Sequence, residues 1–216
     1  MILVLSGRSG SGKTSACVLA ETALASSGTV MGGVLCEAVL EDGIKVGILA
    51  RDLSRGPSHA AASLARSVPP DERRVPLPDR GVPGTIRFGM WDFCMAALGA
   101  ADEATSLFIA ASGSAAGRPV AFVDELGPME LDHGLGMTRT LAALDALSTR
   151  MAAVRMPDPR PDCIVVARPE IADRLAVRWP SSRRMDMETL SVRAAADAIL
   201  QALGQEDGFP SGWRQS

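Results

Sequence analysis

Three runs of consecutive apolar residues mark the chain: Ile2-Leu3-Val4-Leu5, Val120-Ala121-Phe122-Val123 behind Pro119, and Cys163-Ile164-Val165-Val166-Ala167. Unbroken runs of this length predict strands buried on both faces, as in a parallel sheet covered by helices. Several stretches between and after them carry helical signals. Thr14 to about Ala25 is rich in Ala, Leu and Val, and Met137 to about Val154 places Leu141, Leu144, Asp145 and Leu147 at helical spacing. Pro169 to Val177 has Pro at its first turn, and Leu190 to Leu203 reads as a final helix. Strands alternating with helices predict an α/β fold with a mainly parallel sheet and helices on both faces.

The pattern changes after the first helix. Thr29 to Leu40 is β-prone, Glu41-Asp42-Gly43 is a turn signal, and Ile44 to Leu49 follows, which together predict an inserted β-hairpin over about 29–52. Residues about 55–84 are rich in Pro, Arg, Ser and Gly and are expected to form a long irregular loop, with one or two helical turns at Ala60 to Ser67. Thr85 to Phe88 reads as a short strand. Asp92 to about Ala111 reads as one or two helices broken near Gly99, closed by Ser112-Gly113-Ser114. Arg184 to Met187 is expected to be a last short strand. Residues 1–203 read as a single domain and 204–216 as a C-terminal tail, with no internal repeats.

Composition narrows the function classes. The formal charge is −3, which gives no general attraction to nucleic acid or anionic membranes, and no run approaches the length of a membrane span. Aromatics are few and Tyr is absent, so the core is expected to be aliphatic. Cys17, Cys36, Cys94 and Cys163 are scattered, and His59 and His133 are the only histidines, which argues against a zinc site and for reduced cysteines. The N-terminus enters a strand at once and lacks a basic leader, so the expectation is a cytoplasmic protein.

Between the first apolar run and the first helix lies Gly7-Arg8-Ser9-Gly10-Ser11-Gly12-Lys13-Thr14, a full match to the phosphate-binding loop G-x-x-x-x-G-K-[ST]. A bare glycine-rich turn is the plainer alternative, but the strand before it and the helix after it are the context the motif requires. Glycines let backbone N–H groups close on a polyphosphate, and the helix N-terminus adds partial positive charge. Lys13 is the candidate cation for the β- and γ-phosphates, and the Thr14 hydroxyl is a candidate Mg²⁺ ligand. Of 22 basic residues only Lys13 and Lys45 are lysine. A chain that otherwise uses Arg has placed a compact ammonium on a flexible stem at this position.

The second apolar run ends in Asp124-Glu125. This is the Walker B arrangement: Asp124 is the candidate partner of Mg²⁺, and Glu125 stands where a base for an attacking water belongs. The alternative is an acid capping a helix at a strand end. The octapeptide Asp124-Glu125-Leu126-Gly127-Pro128-Met129-Glu130-Leu131, taken with residues 7–14, resembles the nucleoside-triphosphatase family of thermophilic archaea and bacteria, also called the cancer-related nucleoside-triphosphatase family. The segments Gly33-Val34-Leu35-Cys36-Glu37, Gly43-Ile44-Lys45-Val46-Gly47 and Asp52-Leu53 extend the resemblance, whereas Cys36, Leu40 and Ala167-Arg168 stand where that family tends to carry Thr, Arg and Thr-His. The resemblance implies a RecA-like phosphate-loop fold and Mg²⁺-dependent hydrolysis of ATP and other nucleoside triphosphates to diphosphate and phosphate.

Arg168 ends the third apolar run and has two readings. Its guanidinium could contact the γ-phosphate, or it could form a surface ion pair with Glu170 or Asp173, and the ion pair is the preferred reading. The arginines from Arg150 to Arg184 are interleaved with Asp158, Asp162, Glu170 and Asp173, which favours a solvated face over a nucleic-acid surface. Two rival functions share the same nucleotide site. A small-molecule or nucleotide kinase would use Arg73, Arg74 and Arg80 around an acceptor, and a regulatory protein would bind nucleotide with negligible hydrolysis. Glu125 argues against the latter. No Asn-Lys-x-Asp guanine reader is present, and the partner the motifs specify is a nucleoside triphosphate.

Overall fold

The computed structural model describes residues 1–56, 60–68, 83–111, 118–153 and 160–204. In chain order its elements are β1 (Ile2–Ser6), α1 (Lys13–Ser26), β2 (Met31–Glu41), β3 (Ile44–Asp52), a 3-10 turn (Leu53–Arg55), β4 (Ala62–Ser67), β5 (Thr85–Phe88), β6 (Trp91–Cys94), α2 (Met95–Ala110), β7 (Val120–Asp124), α3 (Pro128–Leu131), α4 (Thr138–Ala153), β8 (Asp162–Ala167), α5 (Pro169–Arg178), β9 (Arg183–Asp186) and α6 (Val192–Ala202). The strands form one nine-stranded sheet in the order β5-β6-β4-β3-β2-β7-β8-β1-β9.

The three apolar runs are β1, β7 and β8, with β8 paired in parallel between the other two. Every residue of the three is buried. The strand period of two divides their side chains between two cores. Ile2, Val4, Ala121, Val123, Cys163 and Val165 face one core, which α2, α4 and α5 cover with Leu98, Leu144 and Leu175. Leu3, Leu5, Phe122, Ile164 and Val166 face the other, covered by α1 with Ala16, Cys17, Ala20 and Leu24, and by α6 with Ala196 and Leu200. Those α1 and α6 positions recur at helical spacing, so each helix presents one apolar stripe to the sheet.

The expected α/β class is present, and the hairpin is the start of a larger antiparallel wing. β2 pairs in parallel with β7 only from Met31 to Val34, then continues as the partner of β3 up to the Asp42-Gly43 turn. β4, β6 and β5 extend the wing outward, each antiparallel to its neighbour. The helical turns expected at Ala60 to Ser67 are replaced by β4. Its alanine content favours helix, but Leu64 and Ala65 are buried once the segment pairs with β3 and β6. Residues 91–94 form β6 rather than the start of a helix, and α2 runs unbroken through Gly99. The rest of the expected irregular loop, residues 69–82, lies outside the described residues, as do 57–59, 112–117, 154–159 and 205–216.

Side-chain ties fix these parts to each other. Arg51 on β3 bonds Glu21 of α1 and Glu37 of β2, joining the wing to the first helix, and those bonds hold its pKa above the ordinary value against the effect of burial. Asp102 of α2 accepts the N–H groups of Arg139 and Thr140, supplying acceptors for the first turn of α4. Asp145 of α4 accepts from Arg178 and from the indole of buried Trp179 at the end of α5.

Candidate active site

β1 ends at Ser6 and α1 begins at Lys13, so residues 7–12 connect a buried strand directly to a helix N-terminus. Gly12 makes that turn possible. Its φ of 87° lies in the left-handed region, and a Cβ there would stand 2.6 Å from Val192 Cγ2 of α6. Any side chain would be both strained and obstructed. The Gly7 N–H donates to the Ala167 carbonyl at 3.3 Å, fixing the start of the loop to the end of β8. Arg8, Ser9 and Gly10 are exposed at the loop's crest, Ser11 is half-buried, and Arg8 pairs with Glu188 at 3.2 Å.

Lys13 is buried, with Nζ donating to the carbonyls of Gly7 at 2.6 Å and Arg8 at 2.7 Å. The loop thus satisfies its own ammonium, which a buried cation needs. Burial lowers the Lys13 pKa, and the carboxylates of Glu125 and Asp124 oppose that shift.

Asp124 closes β7 opposite Val166 of β8, while Ser6 closes β1 opposite Ala167. The acid and the phosphate loop therefore share the carboxyl edge of the sheet with one strand between them, the position expected for a ligand site in an open α/β sheet. Asp124 is 2% exposed and its carboxylate accepts the Cys36 N–H at 3.1 Å, with the Thr14 side chain near enough to favour its charged form. Burial pushes its pKa from 3.8 up to about 6, against the lowering effect of the Cys36 N–H, the Thr14 side chain and Lys13. Thr14 and Asp124, far apart in sequence, are thus brought to the same end of the sheet.

Glu125 points to the rim, where its Oε1 accepts from Arg168 Nε at 3.3 Å. The ion pair expected of Arg168 exists, but with Glu125 across the site instead of Glu170 or Asp173. Asp173 is taken by Arg184. The ends of β7 and β8 lie side by side, so the residues that follow them meet. Other arginines of this region are also held by carboxylates, Arg174 by Asp132 and Arg178 by Asp145.

Two contributors were not singled out by the motifs. One is the backbone N–H of Cys36, which a side-chain pattern cannot register. The other is Glu130, buried and bonded through Oε2 to the Gly127 N–H at 2.9 Å and through Oε1 to the Met137 N–H at 3.0 Å. It holds both ends of the turn that leads from Asp124 past α3 to α4. A Cβ on Gly136, whose φ is 76°, would fall 2.1 Å from Glu130 Oε1, so this glycine makes room for the carboxylate. Its signal in the sequence is an acid at the third helical position, the spacing of a capping box.

Comparison with known proteins agrees with this geometry. The sequence profile of a family described as NTPase matches residues 2–135, which contain the phosphate loop, the wing, Asp124 and Glu125. The nucleoside-triphosphatase THEP1 of Methanopyrus kandleri is 26% identical over 199 residues, covering 84% of this chain and 98% of the relative. The solution structure of a human cancer-related nucleoside triphosphatase superposes with a TM-score of 0.60 at 19% identity, covering 94% of this chain and 97% of that one. The crystal structure of THEP1 from Aquifex aeolicus gives a TM-score of 0.54 at 14% identity, covering 94% and 99%. At those identities the two structures speak to the fold, and the profile match decides the family. The chain, with its phosphate loop and its acidic strand end on one edge of the sheet, belongs to the NTPase family.

Proposed function

We propose that this protein hydrolyses nucleoside triphosphates, ATP among them, to diphosphate and phosphate, with Mg²⁺ held at Thr14 and Asp124 and water as the acceptor. The observation that carries the reading is the buried Asp124 carboxylate on the same sheet edge as the phosphate loop, one strand away from it, with Glu125 one residue further on.

The donor set suits Mg²⁺. Thr14 and Asp124 offer hard oxygens, and this ion is commonly bound by one or two such side chains together with substrate phosphates and water. Among the described residues no group of three or more His, Cys, Asp and Glu gathers as a self-sufficient metal cage, which fits a metal that arrives with its nucleotide. When bound, Mg²⁺ would neutralise charge on the phosphate oxygens.

The chain's own residues supply the rest. The backbone N–H groups of residues 7–12 and the start of α1 bind the polyphosphate. Lys13 exchanges its bonds to the Gly7 and Arg8 carbonyls for phosphate oxygens, replacing neutral acceptors with anionic ones. Glu125 orients a water in line with the γ-phosphorus and takes its proton. The water oxygen bonds to phosphorus, the bond to the bridging oxygen breaks, and its electron pair leaves on the diphosphate. The four cysteines are free, and no described helix is long and apolar enough to cross a membrane. The free thiols support a reduced, cytoplasmic setting.

Single-turnover phosphate release tests the proposal. Glu125→Gln keeps the shape and one acceptor but removes the charge and basicity, so hydrolysis is expected to fall by about 10²–10⁴ at matched nucleotide occupancy. Equal rates in wild type and variant would refute the role of Glu125. Phosphate release that requires an added acceptor would replace hydrolysis with a kinase reaction.

A further inference from the structure

The Arg168–Glu125 contact joins a guanidinium beside the start of the loop to the proposed base, and among the described residues no other hydrogen bond or ion pair is shown for either side chain. The side chains are 52% and 40% exposed, and their single bond is a long one at 3.3 Å. Exposed pairs of this kind are weak and readily exchanged. Arg168 is nevertheless fixed in place by its backbone. It follows Ala167, whose carbonyl accepts the Gly7 N–H, so it stands beside the start of the phosphate loop. Its charge is also felt by Lys13, whose pKa it helps to lower. Two cations therefore converge on the loop's mouth, and each rests on a local acceptor: Lys13 on two backbone carbonyls, Arg168 on Glu125.

We infer that Arg168 is a γ-phosphate sensor that restrains Glu125 until a triphosphate binds. This rests on the reading of Glu125 as the base. A terminal phosphoryl group carries about −1.5 to −2 charges and several acceptor oxygens. It outcompetes one exposed carboxylate for a planar guanidinium that can bond it in a bidentate fashion. Arrival of the third phosphate draws Arg168 away, and Glu125 is left free to accept a proton from water. A diphosphate does not reach the guanidinium, so it leaves the pair closed. The same contact thereby distinguishes substrate from product and withholds the base from a site without a γ-phosphate.

The test is a binding cycle, free of turnover. Mg²⁺ with the β,γ-imido analogue of ATP, and separately Mg²⁺ with ADP, are titrated calorimetrically into wild type, Arg168→Ala, Glu125→Gln and the double variant. Arg168→Ala is expected to weaken the imido triphosphate by about tenfold or more while leaving ADP within about twofold, which also reports an intact fold. Glu125→Gln is expected to tighten the triphosphate severalfold, because Arg168 no longer has to be released, and that gain should vanish when Arg168 is absent. A gain that persists in the Arg168→Ala background would show direct repulsion between Glu125 and phosphate, and would overturn the handover. Equal losses for both nucleotides, or no loss for either, would overturn it as well. Slow single-turnover hydrolysis by Glu125→Gln combined with independent binding effects would leave the hydrolase reading standing and remove only the sensor. Wild-type hydrolysis by that variant would remove the base, whatever the binding cycle returns.

Discussion

Asp124→Asn should stabilise the nucleotide-free protein as it disables the site. The carboxylate is buried, and burial raises its pKa from 3.8 to about 6. The folded protein therefore holds that proton more tightly than the unfolded chain. The associated stability is complete below pH 3.8 and is lost as pH rises through about 6. A shift from 3.8 to about 6 corresponds to about 3 kcal/mol of destabilisation at pH 8, and to about 0.5 kcal/mol at pH 4. Asparagine keeps the same shape, with its carbonyl accepting the Cys36 N–H, and it does not titrate. Urea unfolding of both proteins in EDTA without nucleotide, at pH 4, 6 and 8, isolates the effect. Other titrating groups are common to the pair and cancel in the difference. The variant should gain about 2–3 kcal/mol on wild type between pH 4 and pH 8. A constant difference across that range would mean that Asp124 carries no burial penalty, and a gain by wild type with rising pH would mean that Lys13 more than offsets it. Under the proposed function, the same variant should need far more Mg²⁺ for turnover.

Lys13→Ala should weaken triphosphate binding by about 2–3 kcal/mol, since it removes a charged donor from the phosphate loop, and calorimetric titration with unchanged ATP affinity would refute the assignment. Glu130→Ala leaves the Gly127 and Met137 N–H groups without their buried acceptor and should cost about 2–4 kcal/mol in urea unfolding, with Glu130→Gln costing about half as much. An alanine variant within about 0.5 kcal/mol of wild type would show that the turn holds without this carboxylate.

The parallel core was readable because burial on both faces leaves an unmistakable trace, runs with no polar interruption such as Ile2 to Leu5 and Cys163 to Ala167. The wing was only partly readable. Ala62 to Ser67 has a composition that suits helix, and what makes it a strand is the presence of β3 and β6 on either side, which local sequence does not encode. Gly99 looked like a helix breaker, yet α2 tolerates it at a position where an added Cβ would meet nothing within 4 Å. In the site, the phosphate loop and the acids at residues 124 and 125 were fully visible as motifs. The partner of Arg168 was not. Glu170 and Asp173 are its neighbours in sequence, whereas Glu125 becomes its neighbour only when β7 and β8 pair in register.

Asp124 and the cations of this site are mounted differently, and under the proposed function the difference bears on how it works. Asp124 is the last residue of a strand buried on both sides and is held by the Cys36 N–H, so it cannot move to relieve its own desolvation. Lys13 and Arg168 have long stems, and their charged ends rest on acceptors that a phosphate can replace. Under the proposed function, the rigid sheet sets where the Asp124 oxygens stand for Mg²⁺, and the long-stemmed cations follow the anion. The strain of a buried carboxylate and a buried ammonium is the consequence of placing them on a close-packed sheet, and the ligand that relieves both must bring positive charge to Asp124 and negative charge to Lys13 together. A nucleoside triphosphate with its Mg²⁺ has that distribution of charge.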